Sequence, residues 1–164
     1  MNSGSAFDFH TNRLKNHRKE SFIPSDMICV DESISRWYGQ GGEWINHGLP
    51  MYVAIDRKPE NGCEIQDAAC GRSGVMIQLK VVKTATEQAT IEIQGEDNNL
   101  LHGTKVLKEL VQHWAYTDLL VCATSFFASL MAVEELHWLQ FRLIGVAKTA
   151  TRCFPKLYQL HQRR

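Results

Sequence analysis

The chain has 164 residues, of which 44% are apolar and 22% are charged. This balance is typical of one folded globular domain and excludes a disordered segment. The five cysteines are odd in number, scattered and mostly within apolar runs, which favours buried, reduced thiols over a disulfide framework. No apolar run is long enough to span a bilayer, and no leader is recognisable. We therefore expect a nuclear or cytoplasmic protein without a membrane partner.

The net charge of zero conceals an uneven distribution of charges. Residues 26–135 contain 8 Lys/Arg against 16 Asp/Glu, whereas residues 136–164 contain six basic residues and no acidic one. A basic end attracts polyanions such as DNA, although a solvated basic surface is the simpler interpretation. The candidate phosphate contacts in this end are Arg152, Lys156, Arg163 and Arg164.

The predicted elements begin with a basic segment over residues 1–25, where apolar periodicity is slight. This composition predicts a loose arm or the end of a structure that begins further upstream. The run "MICV" (27–30) predicts a short buried strand that stops at Asp31. From 49 to 94 the chain predicts antiparallel strands in "LPMYVAI", "CEIQDAAC", "VMIQLKVV" and "TIEI", separated by turns such as "RKPENG" and "GRSG". In "VMIQLKVV" alternation predicts that the odd-numbered residues are buried and that Gln78 and Lys80 point the other way.

The second half of the chain alternates between helices and strands. Apolar residues at helical spacing predict a helix over 104–115, and "LLVCA" (119–123) predicts a buried strand. A second helix follows in "SLMAVEELHWL", with Ser129 as its N-cap, and "FRLIGVAKT" predicts a last strand. Antiparallel hairpins followed by helix-linked strands indicate an α/β fold with a mixed sheet and flanking helices.

The residues alone offer one candidate acid for catalysis. Asp31 follows a predicted strand, and in an extended segment its neighbour Glu32 points to the opposite face, so only one of them can join a given site. A single strand-end aspartate is more often a cap or turn residue than a ligand. A site for two metal ions needs several converging carboxylates. The turn after "LLVCA" holds Thr124 and Ser125 and no charge.

The order of several motifs resembles one known family. The stretch from "ICVDES" to "MIQLKVV" is similar to the catalytic domain of piggyBac-type transposases, which also occur as transposable-element-derived proteins. The "DES" start, the "RWYG" loop, the "RKPENG" turn and the "GRSG" hairpin follow the order of that family. "LVCATSFFASLMAVEEL" and "FRLIGVAKTATRCFP" resemble its next strand, helix and strand. The resemblance implies a partial domain over 26–160, between the basic arm and a basic tail at 161–164.

This resemblance implies an RNase H-like mixed sheet, incomplete at its C-terminus, in which three antiparallel strands precede helix-linked parallel ones. It also implies a site of three aspartates that binds two divalent ions, Mg²⁺ or Mn²⁺, and cuts and rejoins DNA. Asp31 matches the first aspartate and would be a metal ligand. Thr124 stands where the second is expected, and the third is expected beyond Arg164.

Three interpretations remain open. A transposase-derived domain without catalytic activity is favoured, because a neutral hydroxyl is a poor ligand for Mg²⁺. The alternative is a non-enzymatic module that binds DNA or a protein partner, in the nucleus as the family implies. A nuclease that uses Asp67 or Glu64 is the third, and these residues have no counterpart in the family. An uncovered sheet face is also expected to cause self-association.

Overall fold

The computed structural model describes residues 3–36, 52–54, 61–82 and 100–146. Its elements alternate much as the sequence predicts, with one additional helix at the start. In chain order they are α1 (Ser3–Ser21), β1 (Met27–Arg36), β2 (Tyr52–Ala54), β3 (Asn61–Cys70), β4 (Met76–Val81), α2 (His102–Val111), β5 (Leu120–Ala123), α3 (Leu130–Trp138) and β6 (Arg142–Gly145). The predicted strand "TIEI" and the predicted DNA contacts of the tail lie outside the described residues.

The six described strands form one mixed sheet. Its order is β2-β3-β1-β5-β6, and β4 also pairs with β3. The pairings β1–β3, β2–β3 and β3–β4 are antiparallel, whereas β1–β5 and β5–β6 are parallel. Parallel neighbours need a crossover connection, which α2 and α3 provide before β5 and β6. The predicted mixed sheet with antiparallel and helix-linked parallel strands is confirmed.

The core lies on the sheet face that α2 covers. Alternate residues of the central strands, Ile28 and Val30 on β1 and Val121 and Ala123 on β5, are buried there. Helix α2 packs against β1, β3 and β4. The apolar residues of α2 recur at helical spacing and form one face of the helix, which lies in this core. They are Val106, Leu107, Leu110 and Val111. Because β5 is central and buried on this face, the chain turn that follows Ala123 is held in a fixed position.

The N-terminal segment is a helix and not the loose arm that its composition predicts. Residues 5–21 contain neither glycine nor proline, and α1 ends shortly before Pro24. The guanidinium of Arg18 donates to the carbonyl of Met76 on β4, and Phe22 packs against the core. These tertiary contacts explain how a helix with a weakly apolar face is retained. None of the described helices is long and apolar enough to cross a membrane.

Strand β4 departs from the predicted alternation. Ile77 and Gln78 are consecutive, yet both are buried. The pairing of β3 with β4 shifts register between Ala68 and Ala69, and such an irregularity redirects the side chains beside it. The prediction that Gln78 points away from the buried face is therefore wrong.

Candidate active site

The strand that carries Asp31 does not end there. β1 continues to Arg36 and stays paired with β3 from Ile28↔Cys70 to Arg36↔Gly62. The predicted strand end at Asp31 is therefore wrong, because the antiparallel neighbour satisfies the backbone of the polar residues that follow. Only the parallel pairing with β5 stops at this point, with Val30↔Ala123 as its last pair. Asp31 thus lies where β1 loses one of its two neighbours.

Asp31 is exposed and has an acidic residue directly opposite on β3. The register pairs Asp31 with Asp67, and directly opposite residues share a sheet face with Cβ atoms about 5 Å apart. Oδ1 of Asp31 accepts the backbone N–H of Glu32 at 2.8 Å. Oδ2 of Asp67 accepts from the Ser33 hydroxyl at 2.8 Å. Sequence spacing contains no signal for the Asp31–Asp67 pair, since it depends on the register of two strands far apart in the chain.

Thr124 extends the parallel pairing by one hydrogen bond and then begins a turn. Its N–H donates to the carbonyl of Val30 at 3.4 Å. Its own carbonyl accepts from the N–H groups of Phe127 and Ala128 at 3.1 and 3.0 Å. Asp31 and Thr124 therefore each follow the last β1–β5 pair, at the same edge of the parallel part of the sheet, as the sequence predicts.

The hydroxyl of Thr124 bonds to Glu32 and not to Asp31. Oγ1 donates to Oε2 of Glu32 over 3.1 Å. Glu32 follows Ile28 and Val30 on alternate positions of β1, so it extends the face that α2 covers, whereas Asp31 belongs to the other face. The chain turn at Thr124 thus brings its side chain to Glu32 and not to Asp31, the acid that the family resemblance implies.

The turn after Thr124 is fixed by the N-terminal ends of α2, which precedes it in the chain, and of α3, which follows it. Ser129 is the N-cap of α3, as predicted, and its hydroxyl oxygen accepts the N–H of Ala132 at 3.0 Å. The Thr104 hydroxyl of α2 lies 3.1 Å from the same Ser129 oxygen. A Cβ on Gly103 would lie 2.6 Å from the carbonyl oxygen of Phe126, so α2 approaches the turn closely. The side chain of Thr124 is therefore held in a defined place beside Glu32.

The described donors do not fit a pair of divalent ions. Hard cations such as Mg²⁺ require several converging oxygens. Asp31 shares its sheet face with Asp67 but not with Glu32, and the neutral Thr124 hydroxyl donates a hydrogen bond to Glu32. Within the described ranges, His, Cys, Asp and Glu side chains form no group of three or more that could hold a metal ion. Glu64 lies three residues from Asp67 along β3 and pairs with Ile34, on the opposite face from Asp31.

The comparisons with known proteins agree with this architecture. The family model described as Transposase IS4 matches residues 6–164. The cryo-EM structure of a piggyBac transposase synaptic complex with hairpin DNA matches with a TM-score of 0.69 and 16% sequence identity. The match covers 88% of this chain and 28% of that chain, so the chain spans less than a third of the transposase. None of the curated proteins matches.

At this identity the structural match establishes the fold, which is RNase H-like as expected. The family match extends over nearly the whole chain. The chain therefore belongs to the Transposase IS4 family, and it has the fold of the piggyBac transposase domain that it matches.

Proposed function

We propose that this chain is a transposase-family domain that does not cut DNA. The observation that supports the proposal is the position of Thr124 and the hydrogen bond that its hydroxyl makes. It stands after β5, where the family resemblance places the second catalytic aspartate. Its hydroxyl donates to Glu32 at 3.1 Å.

The proposed loss of activity follows from the chemistry of that position. A carboxylate at the end of β5 would be an anionic metal ligand, whereas a threonine hydroxyl is neutral and a weak donor to Mg²⁺. Two-metal phosphoryl transfer needs both ions close together, to stabilise the attacking and the leaving oxygen. Asp31 would remain as the first acid, and among the described residues the carboxylate that shares its sheet face is Asp67 on β3. Two carboxylates are fewer than a two-ion site needs.

A strand-cleavage assay tests this proposal. The purified full chain is incubated with Mg²⁺ or Mn²⁺ and DNA that carries transposon-like ends, beside an active piggyBac transposase on its own DNA. We expect no metal-dependent nicks from the parent and none from Asp31→Ala. Metal-dependent cleavage by the parent that Asp31→Ala abolishes would overturn the proposal. Cleavage that only Asp67→Asn abolishes would instead identify a nuclease with a different set of acids.

A second candidate function is DNA binding without cleavage, in the nucleus. The matched solved structure is a transposase complex with hairpin DNA, and residues 136–164 of this chain carry basic residues and no acidic ones. Because residues 26–135 carry 16 acidic and 8 basic residues, we place the proposed DNA contact in residues 136–164. Contacts to phosphates position a protein without reading sequence and weaken as salt is added.

Neutralisation of the tail tests the DNA-binding candidate. The test variant replaces Arg152, Lys156, Arg163 and Arg164 by glutamine, and we expect it to lose binding measured at low salt. A matched control replaces Arg13 and Lys15 of α1 and should bind as the parent does. Equal binding by the tail variant and the parent would exclude the tail as the contact, and salt-independent binding would contradict a phosphate contact.

A further inference from the structure

Two cysteines from distant parts of the chain meet on neighbouring central strands. Cys29 of β1 pairs in register with Cys122 of β5, in the middle of their parallel ladder. Neighbouring strands lie about 4.8 Å apart, and in-register residues project to the same face. Both cysteines are free thiols and both are half-buried. The two sulfurs therefore belong to adjacent side chains on a face that small reagents can reach.

The other members of the row of the sheet that holds this pair are apolar. Along the same row of the sheet, Ala69 of β3 pairs with Cys29, and Ile144 of β6 pairs with Cys122. Cys70, in contrast, is buried and bonds to Ser25. The row thus presents two soft donors between two apolar side chains.

The number and type of donors restrict which ligand can bind. Zinc in structural sites takes four ligands, and among the described residues no group of three or more His, Cys, Asp or Glu could hold a metal ion. Thiolates select soft ions, of which Cu(I) is the first-row example, and Cu(I) is satisfied by two thiolates in a linear arrangement. We propose that Cys29 and Cys122 form a two-thiolate site for a soft monovalent ion, with Cu(I) as the representative.

The binding step is balanced without an oxidant or reductant. Two thiols and one Cu(I) ion form a bis-thiolate complex of charge −1, and two protons are released to the buffer. Both Cu–S bonds form to side chains that the backbone ladder already holds side by side, so little ordering is required on binding. The site is separate from the proposed loss of cleavage, because neither thiol takes part in the contacts of Thr124.

The test uses the reduced full chain under anaerobic conditions with a chromophoric Cu(I) chelator as competitor. We expect the parent to retain one Cu(I) per chain at a chelator concentration that strips Cys29→Ser and Cys122→Ser. Cys63→Ser is the matched control, since Cys63 is also half-buried but pairs with Ser35 and Tyr52 rather than with a cysteine. Circular dichroism melts check that each variant is folded.

A second measurement needs no variant. Peptide mapping after treatment with N-ethylmaleimide should show that Cu(I) protects Cys29 and Cys122 together, while Cys63 is labelled as in the metal-free protein. Zn²⁺ should give no such protection. The proposal is overturned if the parent loses Cu(I) to the chelator as readily as the two serine variants do. It is also overturned if Cys63→Ser loses Cu(I) equally, or if Zn²⁺ protects the pair as well as Cu(I) does.

Discussion

Replacement of Thr124 by aspartate places a second negative charge beside Glu32. The present Thr124 oxygen lies 3.1 Å from Oε2 of Glu32, and both residues are half-buried. Two unit charges about 4 Å apart repel by about 1 kcal/mol in water and by about 4 kcal/mol at an effective dielectric constant of 20. For half-buried groups we expect Thr124→Asp to lower the free energy of unfolding by about 1–3 kcal/mol relative to the neutral control Thr124→Asn.

The same repulsion should create a cation site. A divalent ion between the two carboxylates removes the penalty, and carboxylate oxygens suit Mn²⁺. We therefore expect calorimetry to detect Mn²⁺ binding to Thr124→Asp but not to Thr124→Asn. In urea unfolding, Mn²⁺ at 100 times its dissociation constant should add about 2.7 kcal/mol of stability. DNA cleavage should stay absent, because a single ion does not complete a two-metal site.

Two double variants identify the partner of the introduced carboxylate. In the Thr124→Asp background, Glu32→Gln should restore stability and remove the Mn²⁺ response, whereas Asp31→Asn should leave most of both effects. If Thr124→Asp is as stable as Thr124→Asn in the absence of metal, the short contact with Glu32 is refuted. A Mn²⁺ response that survives Glu32→Gln but disappears with Asp31→Asn would place the site on the other face of β1.

Three further outcomes are expected. Ser129→Ala removes the N-cap of α3 and should cost about 1 kcal/mol in urea unfolding, while Ser129→Asn should cost less; equal losses would contradict a capping role. Hydrogen bonding with Ser25, followed by that with Ser73, lowers the pKa of Cys70 from 9.0 to about 6. The folded state thus favours the thiolate, so the free energy of unfolding should rise from about pH 6 to pH 9 in the parent but not in Cys70→Ala; parallel curves would refute this. Ile144 is 56% exposed on β6, an edge strand of the described sheet. We therefore expect concentration-dependent association in sedimentation that Ile144→Lys reduces; a monomer at high concentration would contradict it.

The elements that follow from local pattern were predictable. Apolar residues three and four apart specified α2, which ends at Val111 and continues as a short 3-10 turn to Trp114. The cap at Ser129 located the start of α3. The predicted turn "GRSG" lies between β3 and β4, with Gly74 at a φ of 68°. These features depend on interactions within a few residues, and such interactions leave a signal in the sequence.

The extent of β1 and the helix α1 were not predictable in this way. The polar residues after Asp31 stay extended because β3 pairs with them, and α1 persists because Arg18 and Phe22 contact the rest of the protein. Local propensity is a weak guide where a tertiary contact satisfies the backbone or covers a side chain.

Some features of the candidate site were also predictable from the sequence, and others depend on the tertiary structure. Composition and motif order were enough to identify the family, to mark Asp31 and Thr124 as the positions of interest, and to place both at one edge of the parallel strands, because strand order fixes where strand ends meet. The pairing of Asp31 with Asp67, the contact between Thr124 and Glu32, and the adjacency of Cys29 and Cys122 depend on strand register and on the path of one chain turn. A shift of register by one residue would reverse every one of these side chains to the other face. Register is set by the burial of whole strands in the core, and no short stretch of residues encodes it.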